Sequence, residues 1–150
     1  MSLRYLLDTN VVSAPVSTSG NPRVVRKLSD VGTECAIAAP VWHELVFGTE
    51  RLPPGRRRVA LEAYLTDVVR PSFPVLPYDE AAAAWHGRER ARLSDLGHPP
   101  PFVDGQIAAI ARTRGLVLVT ANTKDFERFE GLRLEDWTKP TSRAGRRRGE

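Results

Sequence analysis

Short apolar runs alternate with longer stretches in which apolar residues recur at helical spacing along most of the chain. Leu3, Tyr5 and Leu7 lie on one face of a run that ends at Asp8, and they predict a strand over residues 3–8. Further strands are predicted over residues 34–39, 73–76, 116–120 and 132–134. Strands that alternate with helices in this way are typical of an α/β fold whose mostly parallel sheet is covered on both faces.

Helices are predicted between these strands from their start and stop signals. Asn21 followed by Pro22 has the order of cap and first residue that begins many helices, and it predicts a helix to about residue 30. Val25, Val59 and Val68 are expected on or near the apolar sides of their helices. The other predicted helices are a short one from residue 10, one from residue 40, and those over residues 56–69, 79–96, 102–114 and 123–129.

Four acidic or amide side chains lie at or near the ends of these elements: Asp8, Glu44, Asp104 and Asn122. Each has a simple interpretation alone, as a helix cap, a solvated helix residue, a charge favoured by the helix dipole or a turn residue. Ligands of parallel sheets gather at the carboxyl ends of the strands, so together they predict three carboxylates and an amide that converge. Such an oxygen-only site suits Mg²⁺ or Mn²⁺, and acids on mostly apolar helices need a compensating cation.

The length and charge of the chain narrow its class. The length of 150 residues predicts one domain, which we place over residues 1–137. Residues 138–150, which contain Arg143 and Arg146–Arg148, are predicted to form a basic, disordered tail. The net charge of +4 suits a polyanionic partner. No apolar run approaches the roughly 18 to 20 residues of a membrane span and no signal pattern begins the chain, so we expect a cytoplasmic protein. Cys35 is the only cysteine, which excludes an intrachain disulfide, and it is expected to be buried in a strand.

Missing motifs exclude several other chemistries. The chain has no phosphate-binding loop, no dinucleotide-binding glycine pattern and no serine nucleophile elbow. His43, His86 and His98 do not form the two-histidine zinc motif of metalloproteases, and a single cysteine cannot support a cysteine-type zinc site. His43 is therefore interpreted as a structural residue.

The segment Leu6–Ser13, together with Glu44, Asp104–Ala109 and Val119–Phe126, resembles the PIN domain. The chain most resembles the VapC/FitB-type toxins of bacterial type II toxin–antitoxin modules, over about residues 3–137. The resemblance implies a three-layer α/β/α fold. It also implies an Mg²⁺- or Mn²⁺-dependent endoribonuclease in which metal-activated water hydrolyses RNA phosphodiesters, leaving a 5′-phosphate and a 3′-hydroxyl.

The resemblance also assigns roles to individual residues. Asp8, Glu44, Asp104 and Asn122 fall on the catalytic positions, and Asp8, Glu44 and Asp104 are the expected metal ligands. The fourth position is often aspartate in the family and is Asn122 here, so Asp125 could supply the missing acid. The residues expected to hold the acids by hydrogen bonds are Thr9, Asn10 and Thr120. The sequence leaves open whether the site binds one metal ion or two.

Expected partners follow from the charge and from the resemblance. RNA-backbone contacts are expected from basic side chains on two helices, with solvated helix faces as the simpler interpretation; these are Arg56, Arg57, Arg58, Arg88, Arg90 and Arg92. The resemblance implies a homodimer and a cognate VapB-type antitoxin, through which the complex would bind operator DNA. Nothing in the sequence selects the RNA target.

Three other functions are weighed against this one. A phosphoaspartate enzyme of the haloacid-dehalogenase type needs a second acid two residues after its nucleophile, where this chain has Asn10. A non-catalytic RNA- or protein-binding PIN-like module would treat Asn122 as the mark of a decayed site, but the three retained acids and Asp125 weigh against it. DNA-structure nucleases of the wider PIN-like group are longer chains with more acids.

Overall fold

A five-stranded, all-parallel sheet forms the centre of the computed structural model, which describes residues 2–140. The spatial order of the strands is β3-β2-β1-β4-β5. This confirms the predicted α/β fold. The strands are β1 (Tyr5–Leu7), β2 (Cys35–Ala38), β3 (Val75–Leu76), β4 (Val117–Val119) and β5 (Leu134–Glu135).

Seven α-helices lie between the strands in the described part of the chain. Asn21 caps α2 by accepting a hydrogen bond from the Arg23 amide at 2.8 Å, as the sequence predicted. Asp79 caps α6 in the same way, because its Oδ1 accepts from the Ala82 amide at 2.9 Å. The helices are α1 (Thr9–Val12), α2 (Pro22–Val31), α3 (Ala39–Glu50), α4 (Arg56–Tyr64), α5 (Arg70–Ser72), α6 (Glu80–Asp95) and α7 (Phe102–Thr113).

The central strands are apolar along their whole length because both faces of the sheet are covered. Leu6, Ile37 and Leu118 have no exposed surface, and every residue of β1 and β2 is buried. Burial of such side chains contributes roughly 1.5 to 3 kcal/mol each. Cys35 lies in this core, as predicted. None of the helices within residues 2–140 is long and apolar enough to cross a membrane.

The order of the strands creates a crevice between β1 and β4. The chain runs outward from β1 to β2 and β3, then returns to build β4 and β5 on the other side of β1. Such a reversal of strand order is where parallel sheets leave a ligand crevice at their carboxyl edge. The ladder continues past the strand ends, since the Asp8 amide donates to Val119 O at 2.9 Å and the Thr120 amide donates to Glu135 O at 3.0 Å. Asp8 and Thr120 therefore lie beside each other at this edge.

The structure differs from the sequence prediction in several elements. The predicted helix over residues 123–129 is only a 3-10 turn at Thr123–Asp125, because Phe126 and Phe129 turn into the core. The predicted helix over residues 56–69 changes to π-helical geometry at Leu65–Val69. Val25, Val59 and Val68 are exposed, because α2 and the 56–69 segment bury narrower faces than predicted. The last strand forms at residues 134–135 instead of 132–134.

Candidate metal centre

Asp8 is the most firmly held acid at the carboxyl edge of the sheet. It is 9% exposed and caps α1, with its Oδ1 accepting from the Thr9 amide at 2.8 Å. Its Oδ2 accepts from Thr120 Oγ1 at 2.8 Å and from Asn10 Nδ2 at 3.4 Å. Three neutral groups of the described residues therefore orient this carboxylate. A buried acid with only neutral donors is prepared for a cation.

Glu44 is joined to the same place through Thr9. Thr9 Oγ1 donates to Glu44 Oε2 at 3.1 Å, which connects the first turn of α1 to the middle of α3. Glu44 itself is exposed, so its carboxylate remains open to solvent on its other side. This direct contact supports the predicted role of Thr9 as a residue that orients an acid.

Asp104 lies in the first turn of α7 and is half-buried. The pKa of its carboxyl is raised to about 6, first by burial and then by the negative charges of Asp125, Asp8 and Glu44, in this order of size. An effect of this kind requires that the acids lie close enough for their charges to repel. The fold therefore brings Asp8, Glu44 and Asp125 near enough to Asp104 for their charges to act on it.

No cation within residues 2–140 forms an ion pair that would compensate this repulsion. Within the described residues, none of the ion pairs includes any of these four acids. No three acidic, histidine or cysteine side chains of residues 2–140 converge into a complete metal-binding group either. Mg²⁺ commonly keeps several waters and binds through only one or two carboxylates. An open set of oxygen donors without histidine or cysteine fits Mg²⁺ or Mn²⁺ better than zinc.

Asn10, Thr120 and Asn122 connect the two loops that border the acids. Asn10 Oδ1 accepts from the Ala121 amide at 3.1 Å while its Nδ2 donates to Asp8. Thr120 Oγ1 donates to Asp8 and accepts from the Asn122 amide at 3.0 Å. The Asn122 side chain makes no hydrogen bond to another described residue. Of the two residues left open by the sequence, Asp125 is the one whose charge acts on Asp104.

A buried histidine, to which the sequence analysis gave no role, supports the start of α7. His86 is 1% exposed on α6, and its Nδ1 lies 2.8 Å from the Tyr78 hydroxyl. Its Nε2 has no hydrogen-bond partner and faces Gly105, where a Cβ atom would lie only 2.1 Å away. Burial and the charge of Arg90 lower the pKa of His86. The only sequence signal was a glycine directly after Asp104 in an otherwise apolar helix.

The arginines predicted to contact RNA differ in their availability. Arg92 is bound within the fold, since its Nε and Nη2 each donate to Glu89 at 2.8 Å and Nη2 also donates to Arg128 O at 2.9 Å. Arg58 donates to Glu50 at 2.7 Å and to Leu52 O at 3.2 Å. Arg56, Arg57 and Arg88 are exposed and have no ion pair in the described part of the chain. Arg90 is also exposed, and its guanidinium lies 5.4 Å from the centroid of the Phe102 ring.

Comparison with known proteins finds matches over most of the chain. A PIN domain family model matches residues 5–132. The chain is 37% identical to tRNA(fMet)-specific endonuclease VapC of Shigella flexneri, over 91% of this chain and 99% of that protein. It is 34% identical to Toxin FitB of Neisseria gonorrhoeae, over 81% of this chain and 89% of that protein. The crystal structure of DNA-bound VapBC from Salmonella typhimurium superposes with a TM-score of 0.76 at 31% identity, over 90% of this chain and 98% of that one.

Proposed function

This chain belongs to the PIN-domain family, and from that premise we propose that it is the ribonuclease toxin of a toxin–antitoxin pair and depends on Mg²⁺ or Mn²⁺. The observation that carries the proposal is the buried Asp8 carboxylate, which is held by neutral donors only and has no ion pair within residues 2–140. The charges of Asp125, Asp8 and Glu44 act on Asp104 at the same edge of the sheet. Uncompensated acids destabilise a fold, and a bound ion would offset that cost.

A bound Mg²⁺ or Mn²⁺ supplies an activated water and a positive charge for a phosphodiester. The residues of the chain position these elements. Thr120 and the Thr9 amide fix both oxygens of Asp8, so that this ligand needs little reorganisation. The Thr9 hydroxyl orients Glu44 in the same way. Hydrolysis by water in this arrangement leaves a 5′-phosphate and a 3′-hydroxyl.

Asp125 is proposed as the fourth acid and Asn122 as a residue that orients water or substrate. The Asp125 charge acts on Asp104 more strongly than that of Asp8 or Glu44. The backbone amide of Asn122 donates a hydrogen bond to Thr120 Oγ1, and Asn122 is exposed, which leaves its side-chain amide free to contact other groups. An exposed amide beside the acids can contact a phosphate or a water without adding negative charge.

Partners are proposed from the relatives. We propose that the chain forms a homodimer and binds a VapB-type antitoxin, through which the complex contacts operator DNA. The similarity to Toxin FitB and to DNA-bound VapBC supports these partners. Contacts to the RNA backbone are proposed from Arg56, Arg57 and Arg88, which are exposed. Arg58 and Arg92 could contribute only by leaving their present carboxylate partners.

Cleavage of total bacterial RNA by the purified protein tests the proposal. We expect discrete fragments with Mg²⁺ or Mn²⁺, none with EDTA, and none from Asp8→Asn or Asp104→Asn. Asp95→Asn is the matched control, because it removes one exposed carboxylate of α6 that has no ion pair among the described residues. Binding of RNA without cleavage under every metal condition would instead support the non-catalytic module.

A further inference from the structure

A small recess begins directly beside the acidic site. Its volume is about 250 Å³, and its lining includes Asn10 and Ala121, which are hydrogen-bonded to each other beside Asp8. Ser17 and Ser19 also line it, with their hydroxyl oxygens 3.2 Å apart. Hydroxyl groups of this kind are common partners of phosphate and sugar oxygens. Apart from Asp136, the polar side chains of the recess are neutral hydrogen-bonding groups next to the proposed reaction site.

A larger cleft continues from this recess along α2. Its volume is about 620 Å³, and the two spaces share Asp136 and Trp137 as lining residues. Three cations of α2 line the cleft, Arg23, Arg26 and Lys27. Their spacing of three and four residues places them on one side of the helix. We call the recess and the cleft together the α2 groove.

Of the three acids that line the cleft, Glu135 and Asp136 are hydrogen-bonded within the fold, whereas Asp30 is exposed and has no ion pair among the described residues. Four cations line the same cleft, so its side chains carry a net positive charge. Glu135 Oε1 accepts from Trp137 Nε1 at 2.9 Å, and Asp136 Oδ1 accepts from the Thr138 amide at 2.9 Å. Arg26 has no ion pair and no side-chain hydrogen bond within residues 2–140, and Arg23 has only a 3.4 Å bond to Thr138 O. Two exposed guanidinium groups therefore remain available to a polyanion.

Lys139 adds a fourth cation to the lining of the cleft. Its Nζ lies 3.9 Å from Asp136 Oδ2, so it is partly neutralised within the fold. The Thr138 amide donates to Asp136 Oδ1, so the first residue of the predicted tail is attached to the fold. Residues 141–150 of that predicted tail lie outside the described residues. The free guanidinium groups of the cleft are therefore those of α2.

We propose that the α2 groove binds a single strand of the RNA substrate on one side of the bond that is cut. The inference rests on the proposed nuclease function. A strand with its phosphate at the metal centre would pass Asn10 and the two serines before reaching Arg23 and Arg26. A recess of about 250 Å³ has room for only a small part of a nucleic acid, which favours one strand over a duplex. Contacts to the backbone give affinity without selecting the sequence.

Binding of RNA to metal-free protein tests the groove separately from cleavage. The probe is an oligouridylate of about 12 nucleotides, within the usual site sizes for single strands. Arg23→Ala with Arg26→Ala should weaken binding by about tenfold at physiological salt and lower the slope of log affinity against log salt by about 1.4, that is about 0.7 for each lost contact. In the cleavage assay the same variant should raise KM and leave kcat nearly unchanged.

The matched control is Arg51→Ala with Arg128→Ala, because it removes two exposed arginines without ion pairs that line neither space. An unchanged salt slope in the Arg23/Arg26 variant, or an equal loss in the control, overturns the inference. Arg26→Glu should weaken RNA binding more than Arg26→Ala does. Equal RNA affinities of these two variants would also overturn the inference. The salt slope can change as expected in a protein that cleaves no RNA, in which case the groove stands and the proposed nuclease function fails.

Discussion

The contact between Gly105 and His86 provides a direct test of how Asp104 is positioned. In Gly105→Ala, the new Cβ would meet His86 Nε2 at 2.1 Å, whereas ordinary contact begins at 3.4 Å, so the two must separate by about 1.3 Å. The imidazole has little room to move, because it is buried and bonded to the Tyr78 hydroxyl at 2.8 Å. The first turn of α7 is therefore displaced, and Asp104 moves with it.

The expected loss is larger in activity than in stability. Overpacking of this kind costs about 1 to 3 kcal/mol of unfolding free energy. A displacement of about 1 Å at a reacting group can cost about 100-fold in rate. We expect kcat/KM for RNA cleavage to fall by about 100-fold and Mg²⁺ binding, measured by calorimetry, to weaken in the same variant. Gly87→Ala is the control, because it adds the same methyl group to α6 beside His86 with no atom within 4 Å.

Removing the imidazole should relieve the clash. His86→Ala alone leaves a cavity and an unpaired Tyr78 hydroxyl, which costs about 2 kcal/mol of unfolding free energy. In the double variant with Gly105→Ala, the two methyl groups share the vacated space, and we expect activity to return to within about tenfold of the original. A double variant no more active than Gly105→Ala, or a Gly105→Ala protein as active as Gly87→Ala, would refute the reasoning.

Three further predictions concern the acids and their hydrogen bonds. Asp104→Asn should stabilise the metal-free protein above pH 6. The shift of the Asp104 pKa from 3.8 to about 6 sets an upper limit of about 3 kcal/mol on the gain in unfolding free energy. Partial exposure of the carboxyl reduces this gain to about 1 kcal/mol, which corresponds to about 2 to 4 °C in Tm. The cost grows between the unfolded pKa of 3.8 and the folded pKa of about 6, because the unfolded carboxyl ionises in this range while the folded one keeps its proton. The difference should therefore be full above pH 6 and disappear below pH 4, and a pH-independent difference in scanning fluorimetry would contradict this origin. Thr120→Val should weaken Mg²⁺ binding about 10- to 100-fold by calorimetry, since it removes the donor to Asp8, and Thr120→Ser should restore binding. Asp125→Asn should weaken Mg²⁺ binding more than Asn122→Ala does, and the reverse order would make Asn122 the ligand.

The sequence was sufficient to predict the α/β fold and the strand ends at which the candidate acids lie. Buried parallel strands need continuous apolar runs, and the ends of those runs are visible from Asp8 and from the residues after Val119. The order of strands was not predicted from the periodicity, yet it is the reversal between β1 and β4 that brings Asp8 beside Thr120. Local patterns report which elements form, and tertiary contacts decide their neighbours.

Other features depend on contacts between distant segments and were not predicted. Arg92 has the pattern of a solvated helix residue, but the buried Glu89 and the Arg128 carbonyl bind it within the fold. His86 has no local signal either, because its function in packing depends on Gly105 of another helix. Val59 shows the opposite error, since its position favours an apolar face although the side chain is 63% exposed.

The bond from Thr120 to Asp8 joins residues 112 positions apart in the chain. During synthesis, Asp8 leaves the ribosome long before Thr120 has been made, and Asp125 follows later still. An unfinished chain therefore has an acid on its first strand without the hydroxyl that fixes it or the other acids that complete the site. Products of interrupted translation that stop before residue 120 therefore carry Asp8 without this donor, and the proposed site can form only after Thr120 and Asp125 have been made.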